Sequence, residues 1–278
     1  MTNIYNFTRR DLRRQIMRFL SQVEDYRTGQ ATSGGFISLA DTQMAADAAN
    51  YWVGAQVYIP TLNAQRRVGS FASSTLYFVP TLAAAVVSGY DYEICKDFRI
   101  EEVHDAIDRA IMEVSHVMLT SRVDTTLTKR ADEYRYSVPS GFAYLAEVWY
   151  KDYTGTGDSY DRWEEVDPIH WDVLLEASGP ILVLNHDYDW TDVNSKALRL
   201  VGQTPPLRLS DETTNVAVNP EWVIQHALMN LSAKRASGSD DRPDQYQRMH
   251  MLARQAIERL RPLMYSPPLP GSRRVMET

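Results

Sequence analysis

The sequence predicts an α+β chain, a helical bundle built from N-terminal, middle and C-terminal segments with two antiparallel β insertions, the second sandwich-like. Two observations predict it. Apolar residues recur at helical spacing within residues 1–28, 99–119 and 219–262. Between them, residues 29–98 and 120–218 break into short apolar runs separated by Gly, Pro, Ser and Asn, the pattern of strands and turns. Residues 263–278 are left as an extended tail.

In order along the chain, a first helix is expected over 8–28. Thr8 suits the N-cap and Asp11 the acidic position three residues on. Leu12, Ile16, Phe19, Leu20 and Val23 form its apolar stripe, and Thr28-Gly29 ends it. The first β-region contains Val57–Ile59, Val68–Phe71, Thr75–Val79 and Tyr90–Cys95, with Asn63, Ser73-Ser74, Pro80 and Ser88-Gly89 as turn signals. Tyr90, Tyr92 and Ile94 alternate with Asp91 and Glu93, a period of two. The second helix carries Ile100, Val103, Ile107, Ala110, Ile111, Val114 and Met118 on one stripe, with Glu101 and Glu102 near its positive N-terminus.

The second β-region offers candidate strands at 125–128, 133–138, 144–150, 171–175, 181–184 and 197–201, a spacing suited to a sandwich. Asn219 as N-cap and Pro220 at the first helical position open the closing helices. These carry Trp222, Val223, Ala227, Leu228 and Leu231, then Tyr246, Met249, Leu252, Ile257 and Leu260. The tail holds Pro267, Pro268, Pro270 and Gly271, and so is expected to bury little.

Composition narrows the function. Hydrophobic residues are 44% and charged residues 23% of the chain, values of an ordered globular protein. Net charge is −7, which argues against a surface that binds nucleic acid throughout. The single Cys95 excludes an intramolecular disulfide and fits assembly in a reducing cytoplasm. An arginine-rich first segment does not read as a secretory signal, and no apolar run is long enough for a membrane span. Sixteen Tyr and six Trp suit a chain with extensive protein contacts.

Catalytic motifs are missing from the sequence. It has no G-x-G-x-x-G, Walker A, H-E-x-x-H or G-x-S-x-G motif, and an enzyme is not expected. His104, His116, His170, His186, His226 and His250 lie at no metal-ligand spacing, so neither metal nor cofactor is expected. Asp187, Asp189 and Asp192 could ligate calcium, but lack the glycine and distal glutamate of an EF-hand loop; a polar turn explains them equally.

Two segments have the chemistry of partner contacts. Arg9, Arg10, Arg13, Arg14 and Arg18 place strong positive charge on the first helix, suited to DNA phosphates, to acids of a neighbouring subunit or to a solvated helix face. The tail residues Pro267, Pro268, Leu269, Pro270, Arg273, Arg274, Val275 and Met276 form a proline-stiffened peptide that docks at reduced entropic cost.

The order of motifs resembles that of the tailed-bacteriophage head-to-tail adaptor, or neck-ring, proteins. A first helix leads to TGQATSGGFISLADTQM, YWVGAQVYI, RRVGSF, LYFVPTL and SGYDYEI, similar to a β-module of phage virion proteins. IEEVHDAIDRAIMEV is similar to their second helix, DEYRYSVPSGFAYLAEVWY to the opening of their sandwich insertion, and ALRLVGQTPPLRLSDETT to the passage before a closing helix. The resemblance implies a structural virion protein in a ring, usually of about twelve copies, between capsid and tail. It implies contacts with copies of itself, with portal protein and with downstream tail or nozzle proteins. It also implies non-specific contact with packaged DNA, no membrane partner, and tail residues Pro267 to Met276 docking on the portal. A tail-tube, tail-terminator or fibre-linked subunit is the alternative in the same particle. A carbohydrate-binding sandwich using Trp149, Trp163, Trp171 and Trp190 is the alternative outside it.

Overall fold

The computed structural model describes residues 5–21, 25–153, 161–190, 193–236 and 243–275. They fall into two compact units, each drawn from separate stretches of chain. One comprises residues 4–113 and 208–263, and the other residues 114–207 and 264–278 with the first three.

The first unit opens with α1, Arg9–Leu20. Thr8 and Asp11 close a reciprocal capping box, so two of the helix's free N–H groups are satisfied by side chains. Leu12, Ile16, Met17 and Leu20 are buried. The helix stops at Ser21, whose backbone is extended. Instead of continuing to residue 28, the chain turns into β1, Tyr26–Gln30, which covers an edge of the sheet. Tyr26 and Thr28 prefer a pleated surface to a helix.

Six further strands follow: β2 (Ser33–Gly34), β3 (Ser38–Ala40), β4 (Gln56–Ile59), β5 (Ala64–Ala72), β6 (Thr75–Val79) and β7 (Asp91–Cys95). All pair antiparallel in the order β1-β7-β4-β5-β6-β3-β2. The two-residue turn between β5 and β6 places Ser73 and Ser74 at φ 48° and 69°, the left-handed pair that matches strand twist. One face of this sheet holds a core that includes Leu39, Trp52, Val57, Phe71, Leu76, Phe78, Tyr92 and Ile94. β7 lies between β1 and β4, and four of its five residues are buried. Asp91, Glu93 and Cys95, out of phase with Tyr92 and Ile94, therefore lie largely out of water on the second face of the strand as well. They make hydrogen bonds to Arg10, Arg13 and Ser21 of the α1 segment.

α2 is Ile100–Glu113, α3 is Pro220–Ala236 and α4 is Pro243–Leu260. α2 buries Ile100, Val103, Ala106, Ile107, Ala110 and Ile111. α3 packs against α1, α2 and α4, and is buried over much of its surface. Trp222 there donates its indole N–H to the Ala110 carbonyl at 3.1 Å. α4 buries only Tyr246, Ala253 and Ile257, leaving a wide exposed face.

The second unit is a sandwich. One sheet runs β11 (Arg162–Glu165), β10 (Tyr144–Tyr153), β14 (Leu198–Thr204) and β8 (Thr120–Asp124), and β15 (Arg273–Arg274) also pairs with β10. The other runs β12 (Trp171–Glu176), β13 (Gly179–Leu184) and β9 (Arg135–Ser137). Both contribute to one core, including Leu145, Val148, Leu198 and Leu200 from the first sheet and Tyr136, Trp171, Leu182 and Leu184 from the second. Gly202 permits the closest approach in it: an added Cβ would lie 2.2 Å from the Tyr144 carbonyl oxygen.

The expected architecture is corrected. Fifteen strands in three antiparallel sheets outnumber four α-helices among the described residues, so the fold is β-rich and is not a helical bundle with two insertions. Helical periodicity locates amphipathic helices but does not reveal what their apolar stripes cover. Many strands here are two to five residues long, too short for alternation to reveal the sheet area they build.

Candidate functional site

The arginines of α1 divide sharply. Arg13 is wholly buried. Its guanidinium donates to both Glu93 carboxylate oxygens, at 3.0 Å from Nε and 2.8 Å from Nη2. Nη1 donates to Glu212 at 2.7 and 2.6 Å and meets His104 Nε2 at 2.8 Å. Tyr26 donates its hydroxyl to Glu93 and Tyr58 its hydroxyl to Glu212, at 3.1 and 3.0 Å. The cluster thus joins α1, β1, β4, β7, α2 and the segment before α3. Arg13 sits at helical spacing with Ile16, Met17 and Leu20, so it lies on the buried stripe, and that position is the sequence signal that separates it from its neighbours.

Protonation states follow from these contacts. Burial alone would raise the Glu93 pKa, but the Arg13 hydrogen bonds and charge, with Arg14 and Tyr26, hold it below the usual carboxylate range. Burial, then the charges of Arg13 and Arg9, push His104 down to about 3. His104 is therefore neutral and its Nε2 accepts from Arg13; its 3.4 Å approach to Glu212 is not an ion pair. Arg10 pairs with Asp91 at 2.6 Å, Arg14 Nε with Glu93 at 3.2 Å, and Arg9 with Asp108 at 4.0 Å. Arg18 is exposed. Four of the five arginines expected to face a channel or partner are thus engaged by acids of their own unit.

The tail is not loose. Met264 and Val275 are buried, and Arg273-Arg274 form β15 against Tyr144 and Leu145 of β10. The Val275 N–H donates to the Ala143 carbonyl at 2.7 Å, and its side chain joins the sandwich core. Arg273 donates to Asp172 at 3.1 Å and to the Pro168 carbonyl, and lies over the Trp171 ring at 4.8 Å. Gln203, nearly buried, accepts from the Leu269 N–H at 2.8 Å and donates to the Pro267 carbonyl at 3.4 Å. The expectation that this segment buries little is corrected: a two-residue strand and one valine are enough to seat it, and neither has a periodicity to read. Pro267, Pro268, Leu269, Pro270 and Arg274 remain exposed, and Met276 lies outside the described residues.

Sequence reasoning placed Phe19 and Leu252 on buried stripes. Both are 57% exposed. With Leu228, Met249, Ala253 and Ala256 they line an apolar groove of about 400 Å³ on α1, α3 and α4, beside Arg248. The described residues hold no cluster of three or more His, Cys, Asp or Glu able to hold a metal. In the acidic turn, His186 contacts Asp187 at 2.8 Å, and Asp192 lies outside the described residues. Trp171 and Trp190 are buried in the sandwich core, while Trp149 and Trp163 are half-buried. No described helix is long and apolar enough to cross a membrane.

No protein-family model matches the chain, and no curated protein is significantly similar to it. Among solved structures, the regulatory domain of Toxoplasma gondii PKA, co-crystallised with cAMP, aligns at 10% identity. That alignment covers 70% of this chain and 88% of the other, with a TM-score of 0.15. A similarity this low carries no argument about fold or function.

Proposed function

We propose that this chain is a structural virion protein, a subunit of the head-to-tail adaptor ring that docks on the portal and connects capsid to tail around the DNA channel. The observation that carries the reading is the order of motifs along the chain, from the capped first helix through the β-module and second helix to the sandwich and closing helices. The surface supports it. Large apolar side chains stand in water on both units: Phe19, Met251 and Leu252 on one, Ile169, Leu175 and Leu207 on the other. Of these, Phe19 and Leu252 share one apolar groove, the kind of exposed surface that protein partners cover. Copies placed side by side in a ring meet through two different faces, one from each neighbour.

Of the five α1 arginines, Arg18 is the one left to face DNA or a neighbouring protein, and Arg248, Arg254 and Arg259 are exposed on α4 among the described residues. Pro267 to Pro270 and Arg274 are the accessible part of the tail for portal contact, with Val275 anchoring it. Burial of Trp171 and Trp190 removes half of the tryptophans that a sugar-stacking surface would use. The test is location: purified particles are probed by mass spectrometry and immunogold labelling. The reading expects stoichiometric, neck-localised protein, and its absence from particles or a position on the fibres would reject it.

A further inference from the structure

We propose that the α1/α3/α4 groove docks a second copy of this chain, receiving Ile169 and the acidic turn around it. The inference rests on the ring-subunit reading above and names which faces meet.

The groove has an apolar floor with Arg248 in its wall. Along α4, Arg248, Leu252 and Arg259 recur at intervals of four and seven residues, on one exposed face. Among the described residues, Arg18, Arg248, Arg254, Arg259 and Arg261 have no ion-pair partner. The nearby acids are few. Glu221 of α3 accepts from Gln225 at 2.6 Å, Asp244 lies in the first turn of α4, and Glu258 points to another side of it.

The sandwich unit carries the complementary surface. It has ten Lys and Arg against sixteen Asp and Glu, whereas the helix-bearing unit has nineteen against twenty. Its most exposed large apolar side chain is Ile169, 74% accessible in the short helical turn Pro168–His170. Before it come Glu164, Glu165 and Asp167, all exposed, with Glu164 and Glu165 on opposite faces of β11. An apolar knob with carboxylates beside it matches, in both chemistry and sign, an apolar hollow with the unpaired Arg248 in its wall. Because the two patches differ, the contact is heterologous and propagates from copy to copy, closing into a ring or running on as a filament.

The test is a charge-reversal cycle on the full chain, with mass read by sedimentation at about 100 µM, where even a weak interface is populated. The variants are Ile169→Asp, Arg248→Glu with Arg259→Glu, and Glu164→Arg with Glu165→Arg. Each set lies on the exposed surface, so an unchanged thermal transition serves as the folding control. Self-association of the wild type, falling with added salt, should drop at least tenfold in each variant set. Mixing the two charge-reversed proteins should restore it. A wild type that stays monomeric, or variants that associate like it, would overturn the interface. Particle incorporation, measured separately, distinguishes failure of this interface from failure of the adaptor reading.

Discussion

Replacing Glu93 with glutamine tests the buried cluster most sharply. Glu93 is fully buried and accepts from Arg13 Nε and Nη2, Arg14 Nε and the Tyr26 hydroxyl. The substitution keeps the shape but removes the charge, and it sets an amide N–H₂ where an acceptor stood. Arg13 then keeps Glu212 but loses a bidentate partner in a site that water does not reach. Breaking one side of a buried ion pair costs about 3–5 kcal/mol. For a chain of this size, 1 kcal/mol moves the midpoint by about 2–4 °C, so the transition of the helix-bearing unit should fall by roughly 6–20 °C. Calorimetry at pH 7 measures this. The same carboxylate makes stability depend on pH. Glu93 is depressed in the fold, so its contribution is present above the unfolded pKa of about 4.3 and is lost as pH falls towards the folded value. Wild type should therefore lose more stability than the variant below pH ~4.3. Replacing Arg13, Glu93 and Glu212 together by apolar residues should cost less than Glu93→Gln alone, because the fully buried guanidinium leaves with its carboxylates and only the solvent-reached Arg14 loses a partner. A single variant within about 1 kcal/mol of wild type would refute the reasoning.

Three further outcomes follow from the geometry. Val275→Ala should destabilise the sandwich unit by about 2 kcal/mol, measured by urea unfolding, because it empties a core position filled by the tail. Gly202→Ala should cost at least about 2 kcal/mol in the same assay, since the added methyl meets a strand backbone that cannot yield. His104, held neutral down to about 3, should show no imidazole titration by NMR between about pH 5 and 8, where a free histidine titrates. Its depressed pKa makes the fold lose stability as pH falls below the unfolded value of about 6.5, because only the unfolded chain takes up that proton.

Helices were legible where the period persisted. Thr8 and Asp11 marked the start of α1, and Ile100 to Ile111 marked the buried face of α2. The Ser73-Ser74 turn was legible because its residues are small and polar between two apolar runs. The balance of the fold was not. β1 falls inside the expected first helix, and β2, β3 and β15 are too short to alternate. The candidate surfaces were partly hidden for a related reason. An arginine run does not say which guanidinium is buried until its register with Ile16 and Leu20 is counted. Phe19 and Leu252 fit an apolar stripe whether or not something covers it. The tail looked free because strand addition depends on an open edge at Tyr144 and Leu145, far away in sequence.

On the proposed reading, this chain spends its surface on copies of itself and on a portal. Native mass spectrometry of the purified protein mixed with the portal protein of the same particle measures that directly. The adaptor account predicts one discrete complex carrying many copies of this chain per portal ring. A mixture in which portal and chain keep their separate masses would contradict it.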